Sequence, residues 1–476
     1  PADEFTSKDL NGEQLILDAD ADTTITADTD DTIDIRIAGA DDFKLTANTL
    51  TALSGSTIAT NTIAETTGAS GVTIDGLLIK DSTAAFADGA VATPSITNTG
   101  DTNTGVYFPA ADTVGVVTGG TEQFRFGSNP IPGGSKNLIQ NGAMTVNQRG
   151  SVAVAADSTF TLDRYAARLI GGGPARWTVT QDTTVPAGKG FGYSYKVDVT
   201  TIDASIDTND YQGVTHTIEA QNLQHLNFNN AAASALTLTF WARTKKAGLH
   251  GGAVYNNDAG RSLVFSWTAV ADTWQKVTVA VPGDTGGVIN NDTGSGLSIW
   301  WSFSGGKYMA SDTGAWVAGA YLSVTSAVND FDHVDNDFYI TGVQLEVGSI
   351  ATDFAHEDIG TQLRKCQRYF FSTNIFGAST RYAAGAYDAT NALGSLTHFP
   401  TTMRAVPTAA FDSSVYRSAH DGAVHDSSIT IGFTVQADGY MPNIGVQSSA
   451  TQGEWYWIID NGGDATTGAI TFTAEI

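Results

Sequence analysis

The chain of 476 residues has one cysteine, Cys366, so no disulfide can form within it. A secreted protein of this size often carries several, so other bracing is expected: a reducing folding compartment, or association of copies. Proline is scarce, at 11 residues, and basic residues scarcer than acidic ones, 24 against 50, for a net charge of -26. That balance argues against nucleic acid and anionic membrane surfaces as partners, because each phosphate contact wants a Lys or Arg. It reads as a solvated acidic surface. No apolar run approaches the roughly 18 residues of a membrane-spanning helix, and no secretory-leader pattern is expected at the start. Ser/His/Asp elbows, HExxH and phosphate loops are missing too, so no familiar catalytic motif is present.

What is abundant is glycine, 51 residues, with threonine, serine, asparagine and alanine around short apolar alternations. Such a chain builds many short strands and turns, and the class is mainly β. Residues 1–135 are poor in aromatics. In TIDIRI, Ile33, Ile35 and Ile37 alternate with Asp34 and Arg36 and share one strand face. The segment Asp31 to Leu45 aligns without a gap to Asp112 to Phe126, matching Asp31 with Asp112, Gly39 with Gly120 and Phe43 with Phe124. This predicts one hairpin unit used twice. A lone hairpin cannot bury its apolar face, and two are too few for a solenoid. Three identical chains sharing a core would satisfy both, with the phenylalanines buried. NPIPGGS, from Asn129 to Ser135, marks a boundary.

From 136 to 355 aromatics become dense and strands lengthen: ALTLTFWART, RSLVFSWTAV, LSIWWSFSG and DFYITGVQLEV. In the first of these Leu236, Leu238 and Phe240 share a face. A jelly-roll β-sandwich is the natural class. Trp177, Trp241, Trp274, Trp300, Trp301 and Trp316 are each core residues by default. Trp300 and Trp301 are adjacent, so in a strand one faces the core and the other faces away. Trp316, beside glycine, is the expected loop-exposed ring, with Tyr255 in VYNNDAG second and Trp301 third. Asp330, Asp332, Asp335 and Asp337 have a spacing similar to acidic calcium loops, without the Gly and terminal Glu of an EF-hand. A solvated acidic loop fits the same spacing.

From 356 to 476, EDIGTQLRKCQRYFF predicts one short helix, with Ile359, Leu363, Cys366 and Phe370 on one stripe. It is expected to pack on the C-terminal β tip domain or on copies of itself, with Cys366 buried and inert. In that tip domain Tyr382, Tyr387 and Tyr440 are candidate contact residues among the loops.

Several of these stretches carry a resemblance. GDTNTGVYFPAADTVGVVTGGTEQFRF and LILDADADTTITADTDDTIDI look like units of tail fibres of tailed bacteriophages. NLIQNGAMTVNQRG with LDRYA resembles the opening of a sandwich module in phage tail and fibre proteins, and RKCQRYFF with FPTTMRAVPTAAF its usual continuation. The middle module is similar to carbohydrate-binding modules. The resemblance implies an elongated homotrimeric fibre: a stalk anchored at its N-terminus to other virion proteins, a sandwich, and a tip toward the host. It would be assembled in host cytoplasm, carried on the virion, and bind a surface glycan or receptor. No motif calls for a cofactor, and the resemblance admits a structural calcium. It implies a non-enzyme; a tailspike-like glycan depolymerase and a purely adhesive capsid or neck decoration are the alternatives.

Overall fold

Alternating apolar residues dominate the secondary structure of the computed structural model, which describes residues 14–27, 31–59, 86–126, 136–372 (apart from 307, 311 and 313), 398–410, 436–438 and 471–476. Elsewhere it describes only the backbone of the C-terminal strands named below. The chain divides into two compact units, 1–124 and 125–476.

Among the described residues the first unit contains two antiparallel meanders, one of five strands and one of four. The sequence repeat is a structural repeat. Ile33–Ile37 turns into Ala40–Thr46, and Val114–Thr118 turns into Thr121–Phe126. The turn residues Ala38 and Gly39 have φ of 53° and 77°, and Gly119 and Gly120 have 56° and 72°. Positive φ at both central residues is the hairpin geometry that matches strand twist. Asp31 and Asp112, which open the two copies, also share it, at 60° and 58°. The apolar side chains are less covered than expected. Ile33, Ile37 and Phe124 are 44%, 49% and 66% exposed, so the expected burial of Phe124 does not occur within one chain.

The second unit is built on a two-sheet antiparallel sandwich. One sheet has six strands, ordered Val152–Val154, Arg176–Asp182, Ser194–Thr201, Asp337–Val347, Leu236–Thr244 and Gln275–Val281. The other has seven, ordered Thr159–Phe160, Tyr165–Ile170, Tyr211–Glu219, Ser295–Gly305, Gly248–Asn256, Arg261–Ala269 and Val317–Ala318. Leu236, Leu238 and Phe240 face inward as the alternation requires, against Ile299, Trp301 and Phe303 of the opposite sheet.

The motif NLIQNGAM and the short helix Ile359–Gln367 meet at this sandwich. Asp358 caps the helix, accepting from the backbone N–H of Gly360 and Thr361 at 2.9 and 3.2 Å. The sequence predicts packing on the C-terminal tip domain or on copies of the helix; Gln362 Oε1 also accepts from Asn141 N at 2.8 Å, tying the helix to the sandwich. Cys366 is fully buried, and burial raises its thiol pKa. Ile359, expected on the buried stripe, is 53% exposed. After the helix, Phe370–Thr373 pairs with Ile470–Thr473, which pairs with Thr408–Ala410. Arg381–Ala386, Tyr416–His420, Ala423–Asp426 and Trp455–Asp460 form a second sheet, and Ala392–Leu393, Thr397–His398, Thr430–Val435 and Gly439–Gly445 a third.

Candidate functional site

A sandwich has two outer faces, and here they differ. On the seven-stranded sheet, Tyr211 and Trp300 point outward but do not reach solvent. Leu322 packs on them, with Tyr255 and Tyr308 beside it. Val324 likewise covers Ala253 and Val264. The segment after Ser295–Gly305 therefore lies over this face as a strap. Arg168 Cζ stands 4.6 Å from the Trp300 ring centre, and Trp300 is left 6% exposed.

The outer face of the six-stranded sheet keeps an open window. Its lower half is closed, since Thr237 donates to Gly348 O at 2.7 Å and Gln344 Nε2 reaches Thr352 Oγ1 and Asp353 O. Above this, Trp241, Arg243, Tyr339 and Lys196 come from three adjacent strands. Arg243 pairs across with Tyr339, and Tyr339 with Lys196. Trp241 is outward because Phe240 and Ala242 are inward, and it remains partly exposed, as does Trp274 at the start of the edge strand. The Trp274 and Tyr339 rings meet edge to face at 6.1 Å and Arg243 Cζ lies 4.9 Å from the Tyr339 ring centre, so Tyr339 is 5% exposed and Trp241 and Trp274 are the rings that reach solvent. Lys189 Nζ lies 5.7 Å from the Trp241 ring centre.

Lys196 and Arg243 of the window are each paired with aspartates. Lys196 donates to Asp198 at 2.7 Å, and Arg243 sits 3.8 Å from Asp337 and bonds Asp272. Burial works against the Lys196 ammonium, but its hydrogen bond to Asp198, together with the charges of Tyr339, Asp198 and Asp182, outweighs this and raises its pKa. Burial raises the pKa of Asp337, only partly offset by Arg243. Burial also raises that of Tyr339, with Asp337 adding to it. Asp182 goes the other way: against its burial, hydrogen bonds from Thr184 with the Lys196 and Arg243 charges hold its carboxyl below the usual value. Flat rings beside fixed donors and acceptors suit a pyranose, whose C–H face packs on an aromatic while its hydroxyls are hydrogen-bonded.

The residues singled out from sequence are placed differently. Trp301 is fully buried between the sheets and cannot meet a ligand; the reading of it as a contact residue is corrected by its inward register. Trp316 packs edge to face on Phe228 at 6.0 Å and donates its indole N–H to Pro282 O at 2.7 Å, so its loop ring is anchored. Tyr255 is half-buried under the strap cluster. The side chains of Tyr382, Tyr387 and Tyr440 lie outside the described residues. The four aspartates proposed for calcium do not converge. Asp330 is buried against His250 Nε2 at 3.2 Å, and burial raises its pKa despite that contact. Asp332 pairs with Lys246, Asp335 is exposed beside His333, and Asp337 faces Arg243. Sequence reasoning missed Tyr339, Arg243 and Lys196. Tyr339 alone left a signal, an aromatic out of phase with Phe338 and Ile340.

No family model matches the chain, and no curated protein matches it. Among solved structures it is similar to a family 11 carbohydrate-binding module from Clostridium thermocellum in complex with a β-1,3-1,4-mixed-linked tetrasaccharide: 13% identity, 43% of this chain and 98% of that one, TM-score 0.22. It is also similar to the CBM22-1 xylan-binding domain of Paenibacillus barcinonensis Xyn10C, at 10% identity over 46% and 97% of the two chains, TM-score 0.23. A third likeness, to the arabinofuranosidase MgGH51, spans only 27% of that enzyme, at 12% identity, 45% of this chain and TM-score 0.25. At such identities and TM-scores no ligand, reaction or partner carries over.

Proposed function

We propose that this chain is a structural fibre protein of a tailed-bacteriophage particle and that its sandwich attaches the particle to host-surface glycan. The observation that carries the glycan reading is the open window, where Trp241 and Trp274 stay partly exposed beside Tyr339, Arg243 and Lys196 while the opposite face is strapped shut. The phage reading rests on the sequence resemblance. The homotrimer is supported by the uncovered apolar residues of the first unit, and three weak sugar sites on one particle would act through avidity. Other virion proteins would hold the N-terminal end.

The role is binding and not hydrolysis. A glycosidase needs two carboxylates free to face the scissile bond, and in this window Asp198, Asp272 and Asp337 are each engaged by Lys196 or Arg243, leaving, among the described residues, Asp182 alone without an ion pair. The intact chain, presented with purified host-envelope polysaccharide, is expected to bind it and release no reducing sugar. Absence of binding to every host polysaccharide sinks the glycan reading; reducing-sugar release makes the protein a depolymerase. Antibody labelling of whole particles locates the chain on tail, neck or capsid.

A further inference from the structure

Two carboxylates in a connection between the two sheets lack a countercharge. Asp203 and Asp210 lie in the loop between Ser194–Thr201 and Tyr211–Glu219 and are 5% and 4% exposed. Both reach the turn Gly171–Gly172–Gly173. Asp210 Oδ1 accepts from Gly172 N at 3.1 Å. A Cβ on Gly173 would lie 2.6 Å from Asp203 Oδ2 and 2.8 Å from Asp210 Oδ2, so the two oxygens converge over one bare backbone position. A Cβ on Gly171 would lie 2.0 Å from Asp210 Oδ1 and 2.9 Å from the carbonyl oxygen of Asn209. Asp203 Oδ2 has no hydrogen-bond partner. Among the described residues no Lys, Arg or His ion-pairs with either aspartate. Arg176 spends its Nη1 on the carbonyl oxygens of Gly173 and Ala175.

Two buried like charges without a cation are strongly unfavourable. Burial raises the Asp203 pKa; a backbone hydrogen bond from Ser205 opposes this and Asp210 adds to it. A group that needs both anions would remove the conflict. The donors are all oxygens, two carboxylates with a backbone carbonyl close by, which suits a hard cation larger than magnesium and tolerant of irregular geometry. We propose that Asp203 and Asp210 bind a calcium ion over the Gly171–Gly173 turn. The ion clamps the 202–210 loop where Tyr211–Glu219 begins, next in the chain to Tyr211, whose ring packs 5.8 Å from Trp300.

The test uses the intact chain stripped with chelator and titrated with calcium chloride by calorimetry. Saturable binding is expected, with a rise in Tm of roughly 3–6 °C at saturation. Asp203→Asn and Asp210→Asn should each weaken binding about tenfold or more and abolish the rise. Undiminished binding in both variants places the ion elsewhere, for example at the exposed Asp18, Asp20 and Asp22, and overturns the proposal. No calcium binding overturns it too, and leaves a proton shared by the two carboxyls. Should the variants not fold, hydrogen exchange in the wild-type chain decides. Calcium must slow the amides of 202–210; unchanged exchange there overturns the assignment.

Discussion

Asn137, Asn141, Gln148, Asp163 and Arg164, five polar residues of NLIQNGAMTVNQRG and LDRYA, are buried or half-buried fasteners. Asn137 Oδ1 accepts from Ile139 N and Leu345 N at 3.0 and 3.1 Å. Asn141 Nδ2 donates to Val146 O and Asp163 O at 2.9 and 3.0 Å. Arg164, 1% exposed, stacks 3.4 Å over the Tyr369 ring and pairs with Glu475. Removing one partner of such a pair strands the other charge, so Arg164→Ala should cost about 3–5 kcal/mol in urea unfolding. A loss below about 1 kcal/mol, the range of an exposed pair, would mean the clamp is solvated. His216 makes a second residue-level prediction. Its Nε2 lies 3.0 Å from Gln140 O and its Nδ1 is buried without a partner. Burial, then the Arg164 charge, holds its pKa well below the ordinary 6.5. The unfolded chain therefore takes up this proton first. Stability from His216 is complete above 6.5 and falls as pH drops below it toward the folded value. His216→Asn should flatten the decline in Tm between about pH 7 and pH 5; an unchanged slope removes His216 as its cause.

At the scale of elements, the adjacent Trp300 and Trp301 show how far alternation could be read and where it stopped. Period two required them to face opposite ways, and they do. The pattern could not say that the outward ring would be roofed, because Leu322 reaches Tyr211 across more than a hundred residues of chain. For the same reason the window was hidden. Lys196, Tyr339 and Arg243 are neighbours only through the strand order of the sheet, and no local spacing records that order. Trp241 follows Leu236, Leu238 and Phe240 out of phase, which puts it outside, although the default expectation places it in the core. The helix was legible from its period, but its docking surface was not. Core and window tryptophans should therefore respond differently to truncation. Trp301→Ala should cost about 3–5 kcal/mol as a core truncation. Trp241→Ala and Trp274→Ala should stay within about 1 kcal/mol of wild type and lose glycan binding. Titration of polysaccharide alongside urea unfolding checks both. Binding retained in the double Trp241→Ala, Trp274→Ala variant moves the site off this face.

For the molecule as a whole, the first unit sets the question of copy number. Among its described residues Tyr107 and Val117 are buried, while Leu50, Ile96 and Phe124 are 55%, 44% and 66% exposed, with Ile33 and Ile37 close to half. Burying one such side chain fully is worth about 1.5–3 kcal/mol, so several left in water on strands this short favour association. A closed ring of identical chains lets each hairpin face meet its copies, and three is the number that the fibre resemblance implies. Light scattering on the intact chain is therefore expected to give three times the 49.8 kDa chain mass at micromolar concentration. Ile37→Asp with Phe124→Asp puts a charge on each hairpin copy and should shift the mass toward a single chain, leaving glycan binding per chain intact but weakening adhesion to a glycan-coated surface through lost avidity. A wild-type monomer under those conditions ends the trimer proposal while leaving the window on the six-stranded sheet untouched, because that site is drawn entirely from strands of one chain.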